Sequence, residues 1–231
     1  MPQRYFLDQL NQPIMGQDAH HIKKVMRMND GDEIIVCANQ KCFLASIILN
    51  DLSVSYQIIH ELQQPSSMDV TLIQGLPKGS KNEFVVKYAT IFGTKKIIFI
   101  PMQRSIAKLE NTENKLKRLS LIAKEAAELA HRFDVPEILF EKSLNQVQYE
   151  DYDLILLADE NNKTQMIDQV IPGSIKAIKI ALIIGPEGGI TDAERDVLQN
   201  KKAISISLGH NIIPTEAACL YALSYLSTKK S

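Results

Sequence analysis

Short runs of β-branched and aliphatic residues, broken by polar turns, set the pattern of the first sixty positions. Residues 33–37, 43–49 and 54–59 are such runs, and Ala38, Asn39, Gln40 and Lys41 separate the first two. Runs of this length bounded by turn residues predict strands. Three in succession predict a small antiparallel barrel or sandwich. Ahead of them a short helix is expected over 18–25, followed by Asp30 and Gly31, a pair that tolerates the positive φ of a tight turn. The pattern changes at Gln63, Gln64, Pro65, Ser66 and Ser67, a polar stretch that breaks both periodicities and holds the only proline between Pro13 and Pro77. The division it predicts is residues 1–66 and 67–231.

Beyond that boundary strand and helix patterns alternate. Apolar runs at 70–74, 96–100, 137–140, 154–158, 178–184 and 203–207 predict strands, while 82–92, 112–132 and 216–226 predict helices. In the longest helix Leu116, Leu119, Ala123, Ala126, Ala130 and Phe133 recur every three or four residues and give it one buried face. Along the last helix Leu220, Leu223 and Leu226 should be covered by the sheet or by a second copy of the chain. Alternation of this kind implies an α/β domain, a mostly parallel sheet with helices on both faces.

Two of these strands end in glycine. The run closing at Ile184 leads into Gly185, Pro186, Glu187, Gly188 and Gly189. It continues into Thr191, Asp192, Ala193 and Glu194, where Thr191 and Glu194 have the spacing of a capping box that starts a helix. The run closing at Ser207 leads into Leu208, Gly209, His210, Asn211, Ile212, Ile213, Pro214 and Thr215 before the last helix. Glycine lets bare backbone approach a ligand, and open α/β sheets bind ligands at the carboxyl ends of their strands. Two such loops one strand apart would form opposite walls of one pocket, with Gly188 leaving open the space a ligand fills. The alternative is a pair of plain strand-to-helix turns. Neither loop has the Lys-Ser/Thr ending of a phosphate-binding loop or the spacing of a dinucleotide loop, so ATP and NAD are poorly supported.

Composition narrows the classes. With 231 residues, 45% of them hydrophobic, the chain can form one large domain or two smaller ones, and its net charge of −1 argues against a general nucleic-acid coat. Charge is unevenly distributed, however: residues 76–124 hold eleven Lys/Arg against three acids, which suits either phosphate contacts or a solvated lysine-rich face. No run of eighteen apolar residues exists and the start lacks the layout of a signal peptide, so a cytoplasmic protein with no membrane partner is expected. Cys37, Cys42 and Cys219 are expected as reduced thiols rather than a disulfide framework. His20 and His21 have no further Cys/His cluster to complete a ligand set, so no metal is expected.

The loop Gly185 to Gly189, the later Leu208 and Gly209 with Thr215, Glu216, Ala217 and Ala218, and the start Gln3, Arg4, Tyr5 and Phe6 resemble the ribosomal RNA small subunit methyltransferase E family of the knotted SPOUT methyltransferases. Lys78, Gly79, Glu83, Lys87, Arg104, Ser105, Glu125, Ala126, Ala127, Arg132 and Pro136 also fall where that family's pattern places them. The resemblance covers nearly the whole chain. It implies an N-terminal PUA-like β-barrel that binds RNA, then a SPOUT-type α/β domain with a C-terminal trefoil knot, assembled as a homodimer. The knot is invisible to periodicity. The implied activity is transfer of a methyl group from S-adenosyl-L-methionine to N3 of a specific uridine in 16S rRNA, met as rRNA or within the small ribosomal subunit. The cofactor would nest among Ala158, Asp159, Glu160 and the two loops, touching Ala158, Gly185, Pro186, Gly188, Gly189, Ser207, Leu208, Gly209, Ile213 and Thr215. Arg4, Lys23, Lys24 and Arg27 would contact RNA from the N-terminal domain, and Lys78, Lys81, Arg104, Arg118 and Arg132 from the remainder.

Such a site needs to handle a proton. A sulfonium already makes the methyl electrophilic, so the protein supplies position and electrostatics. Uracil N3 carries a proton at neutral pH and lies on the Watson–Crick edge, so the base must be unpaired and turned into the pocket. The site must also accept the proton or stabilise charge on O2 and O4. Glu187, Glu216 and His210 are the acceptors within the two motifs. Glu187 has a second reading as an organiser of its loop, and Glu216 as a carboxylate favoured at a helix start. The chain departs from the family in the second loop, where arginines are usual at the positions of Asn211 and Pro214 and a threonine at Ala217. Asparagine offers only neutral donors and proline none. Either Arg104, Arg118 or Arg132 supplies the missing charge, or the activity is altered. The alternatives are methylation of another RNA such as tRNA, or a catalytically weakened RNA-binding module.

Overall fold

The computed structural model describes residues 2–65, 68–171 and 178–229; Ser66 and Ser67 of the expected boundary lie outside them. The chain separates into two compact units, Met1–Pro65 with Ala127–Val135, and Ser66–Ala126 with Pro136–Ser231. The contribution of Ala127–Val135 to the first unit is a feature that a contiguous division at residue 66 does not contain.

The first unit is built on a four-stranded sheet in the order β1-β2-β3-β4: β1 Arg4–Phe6, β2 Glu33–Ala38, β3 Lys41–Leu49 and β4 Val54–Glu61. The three expected strands pair antiparallel, but β1, too short to show a pattern, lies parallel to β2, so the sheet is mixed. Tyr5, Ile14, Ile22, Ile34, Val36, Ala45, Ile47 and Val54 form its core. The expected helix is a short α-helix, α1 Gly16–His20, running into a wider π-type turn, His21–Val25, where His21 Nδ1 sits 3.0 Å from the Tyr5 hydroxyl.

Arg4 is 5% exposed, donates to the carbonyls of His131 and Arg132, and lies 4.9 Å over the Phe133 ring. Arg132, 9% exposed, pairs with Asp134 at 2.9 Å. These two guanidiniums hold the first unit together and are not offered to phosphates, which corrects the expectation for both. The cysteines also differ from expectation. Asn39 and Gln40, at φ 50° and 62°, close a tight hairpin that sets Cys37 opposite Cys42, and the two form a disulfide. Cys219 is a free, buried thiol.

The second unit is a six-stranded, fully parallel sheet in the order β10-β8-β9-β5-β6-β7. Its strands are β5 Asp69–Gly75, β6 Lys96–Ile100, β7 Glu137–Phe140, β8 Leu154–Ala158, β9 Lys179–Ile184 and β10 Ile204–Ile206. The helices are α2 Lys81–Ile91, α3 Thr112–Leu129, α4 Ile167–Val170, α5 Asp192–Asn200 and α6 Thr215–Ser227. α3 stops short of its expected end, before His131 at φ 52°. Ile73, Ile98, Ile100, Ile155, Leu157, Ala181, Ile183 and Leu198 pack one face of the sheet. On α6, Leu223 and Leu226 are buried within the chain, Leu220 is half-buried and Tyr221 is exposed. No helix among the described residues is long and apolar enough to cross a membrane. Because β8 lies between β9 and β10, the loops leaving these three strands emerge side by side at one sheet edge.

Candidate active site

A cavity of about 450 Å³ opens at that edge, within the second unit. Its volume is that of a small-molecule site. Ala158, Gly185, Pro186, Gly188, Gly189, Ser207, Leu208, Gly209, Ile213 and Thr215 all line it, as do Asp159, Glu160 and Glu187. Ile184, Asn162, Lys163, Asn211, Ile212, Pro214 and Ala218 complete the lining. Sequence reasoning passed over Asn162 and Lys163, which follow β8 in no recognisable motif. The signal was Asn162 itself: its Oδ1 accepts the amides of Thr164 and Gln165 in a side-chain turn, and its Nδ2 donates to Ser205 O at 2.8 Å. Glu216 and His210 do not line the cavity: Glu216 is in the first turn of α6, and His210 is exposed in the loop after β10.

Close packing fixes the first glycine loop. A Cβ on Gly75 would stand 2.5 Å from the Pro186 nitrogen, and one on Gly189, at φ 73°, would stand 2.2 Å from Glu160 Oε1. Gly188 plays a different part from the one expected. Its missing Cβ makes room for Arg104, whose Cβ would be 2.7 Å away, rather than for a ligand. Glu160 Oε1 accepts the Ile190 amide at 3.3 Å and meets Arg195 Nη2 at 3.2 Å; Arg195 Nε holds Asp159 at 2.9 Å. Thr191 caps α5 as the spacing predicts, in a reciprocal capping box with Glu194. Glu194, 7% exposed, does more than complete the cap. Besides Thr191 N and Oγ1 it accepts the Gln103 amide at 2.8 Å, anchoring the segment that carries Arg104. Buried Gln74 donates to Thr215 Oγ1 at 2.8 Å, and Thr215 Oγ1 donates to the Gly185 carbonyl.

The two expected carboxylates share one ammonium. Lys81 Nζ is 3.1 Å from Glu187 Oε1 and 3.0 Å from Glu216 Oε2, so Lys81 is committed to carboxylates rather than free for phosphate. Burial would raise the Glu187 pKa, yet hydrogen bonds from the Lys78 amide and the Lys81 ammonium outweigh it and hold the carboxyl below its ordinary range. Such a carboxylate is a weak proton acceptor. The hydrogen bond to Glu216, foremost, and that to Glu187 raise the Lys81 pKa against partial desolvation.

The other basic residues are dispersed. Lys24, Arg27 and Lys78 are exposed, while Lys23 donates to the carbonyls of Asn50 and Asp51. Arg118 pairs with Glu83 at 2.8 Å. Arg104, exposed, donates from Nη1 to the Gly188 carbonyl at 3.1 Å and so touches a cavity loop.

Comparison with known proteins matches this geometry to a family. Residues 64–227 match the RNA methyltransferase domain, and residues 14–48 match the RNA methyltransferase PUA domain. The ribosomal RNA small subunit methyltransferase E of Bacillus subtilis (strain 168) is 34% identical over 247 aligned positions, covering 97% of this chain and 96% of the relative. A crystal structure of a protein described only as hypothetical superposes with a TM-score of 0.84 at 31% identity, covering 97% of each chain. The Neisseria gonorrhoeae ribosomal RNA small subunit methyltransferase E bound to S-adenosyl methionine has the same fold, with a TM-score of 0.84 at 23% identity over 99% of this chain and 98% of that one. With a PUA-like domain joined to an RNA methyltransferase domain and a relative of that identity along its whole length, this chain belongs to the ribosomal RNA small subunit methyltransferase E family.

Proposed function

We propose that the protein transfers the methyl group of S-adenosyl-L-methionine to N3 of a specific uridine in 16S rRNA. The observation that carries this reading is the convergence of both glycine loops on one cavity at the carboxyl ends of β8, β9 and β10. The cavity suits the cofactor. It is large enough for an adenosyl ligand, it is lined by the apolar side chains of Ile184, Leu208, Ile213 and Ala218, and its glycine loops supply unencumbered backbone. Those groups would hold the cofactor, which when bound supplies an electrophilic methyl on a sulfonium.

The chain's own residues then deal with the uracil. Charge spreading onto O2 and O4 as N3 loses its proton is met by Arg104, held against the loop by the Gly188 carbonyl. Arg104 thereby takes the part that Asn211 and Pro214 leave unfilled. Glu187 and Glu216 share Lys81 and serve to order the walls. With Asp159 and Glu160 engaged by Arg195, this reading takes His210, exposed in the loop between the lining residues Gly209 and Asn211, as the proton acceptor. The same reading takes residues 1–66 as a PUA-like barrel that contacts rRNA through Lys24 and Arg27. It takes residues 67–231 as a knotted methyltransferase domain, the assembly as a homodimer and the cytoplasm as the compartment where the substrate lies.

The test is transfer of labelled methyl to isolated small subunits, stripped 16S rRNA and tRNA, with the product nucleoside identified by mass spectrometry. 3-Methyluridine at one position of 16S rRNA is the expected product, reduced by Arg104→Ala and His210→Ala. Labelling of tRNA alone, or of a position other than N3, overturns the proposal. Light scattering that gives a monomer at micromolar concentration removes the homodimer.

A further inference from the structure

Two struts of opposite character tie the walls of the cavity together. The neutral one is buried: Gln74 holds Thr215, and Thr215 holds the carbonyl of Gly185. The charged one is partly open to solvent: Lys81, its side chain 35% exposed, takes Glu187 and Glu216 at 3.1 and 3.0 Å. Glu187 belongs to the loop after β9, and Glu216 to the first turn of α6, into which the loop after β10 runs. Lys81 begins α2, which packs against α6, and it does not line the cavity.

We infer that Lys81 is a positioning residue whose ammonium joins Glu187 to Glu216 and so fixes the two glycine loops at the separation an adenosyl ligand requires. The inference rests on the reading of the cavity as the S-adenosyl-L-methionine site. Partly exposed ion pairs contribute little to folding, so the effect of Lys81 falls on loop geometry rather than on the fold. Without the ammonium, two carboxylates that met it at contact distance face each other with no counter-charge, and like charges drive the loops apart. Lys78 does not replace it, because Lys78 reaches Glu187 through its backbone amide while its side chain is exposed. The buried Gln74 strut does not involve Lys81 and remains when the charged strut is cut.

Four proteins test this: wild type, Lys81→Met, Lys81→Arg and Lys81→Met/Glu216→Gln. Two measurements are made on each, calorimetric titration with S-adenosylhomocysteine and amide hydrogen exchange of the ligand-free protein. Lys81→Met should weaken S-adenosylhomocysteine about tenfold, with a melting temperature close to wild type and faster exchange in both 185–189 and 207–214. Lys81→Arg should restore both readouts, and the double variant should recover part of the loss by relieving the repulsion. Wild-type affinity should fall with added salt, whereas that of Lys81→Met should rise as salt screens the two carboxylates left facing each other. Unchanged exchange in both loops, or no rescue by arginine, overturns the inference. Loosened loops in Lys81→Met beside a wild type that binds no S-adenosylhomocysteine would uphold the clamp and remove the adenosyl reading instead.

Discussion

Gly75 carries no motif, yet the first wall of the cavity leans on it. A Cβ there would meet the Pro186 nitrogen at 2.5 Å, Pro186 Cδ at 2.6 Å and the Gly185 carbonyl carbon at 2.9 Å. Ordinary contact begins near 3.4 Å, so in Gly75→Ala the Gly185–Pro186 backbone must retreat by about 0.9 Å. The Pro186 nitrogen and the Gly185 carbonyl carbon are main chain and the Pro186 Cδ is a ring atom bonded to that nitrogen, in a segment flanked by β9 on one side and by the Glu160 and Arg104 contacts on the other. A rotamer change therefore cannot absorb the shift. Overpacking of this kind costs about 1–3 kcal/mol of stability. A misplacement of about 1 Å in a positioning group costs on the order of a hundredfold in function. We expect Gly75→Ala to remain folded, to melt lower, and to lose S-adenosylhomocysteine affinity by one to two orders of magnitude in calorimetry. Pro186→Ala should not restore wild-type affinity, since it removes the Cδ contact at 2.6 Å but leaves the backbone contacts at 2.5 and 2.9 Å. Wild-type affinity in Gly75→Ala, or rescue by Pro186→Ala, would refute the reasoning.

Three further outcomes follow from the same contacts. Glu194→Gln presents an amide to three donors, from Thr191 and Gln103, that a buried carboxylate satisfies; urea denaturation should register a loss of about 2–3 kcal/mol, and a loss within error would reduce Glu194 to an ordinary cap. Glu187 has a folded-state pKa below its ordinary 4.5, so its contribution is complete above that value and disappears as pH falls through the lowered one. Thermal melts from pH 6 downward should show an acid limb below the ordinary 4.5 that is shallower in Glu187→Gln; identical limbs would contradict the shift. Reducing the Cys37–Cys42 bridge opens a loop with a sequence separation of only 5, so the cost should be about 2 kcal/mol by melting with and without reductant. A much larger loss would mean that the hairpin itself depends on the bridge.

Local pattern carried the elements of the second unit well. The strands at 96–100, 137–140 and 154–158 begin and end where their apolar runs do, and Thr191 starts α5 through the capping box its spacing announces. The positions around the cavity were legible for a related reason: glycine at a strand's carboxyl end is a local feature, and every parallel strand delivers that end to the same edge. What escaped was the partner of each side chain. Arg4 reads as a free cation until Ala127–Val135 supplies the carbonyls that bury it, from over a hundred residues away. Cys37 and Cys42 read as separate thiols until the hairpin register sets them face to face. Gly188 reads as room for a ligand, but Arg104 fills that room.

By itself, then, the order of residues determined the α/β alternation, the two glycine loops and the family to which the chain belongs, because periodicity and short motifs are properties of near neighbours. Only the tertiary structure decided that β8 lies between β9 and β10, that Gly75 bears on Pro186, and that one lysine holds the carboxylates of both walls. Strand order and side-chain pairing are set by the burial and hydrogen bonding of the whole chain at once, and no window along the sequence contains that sum.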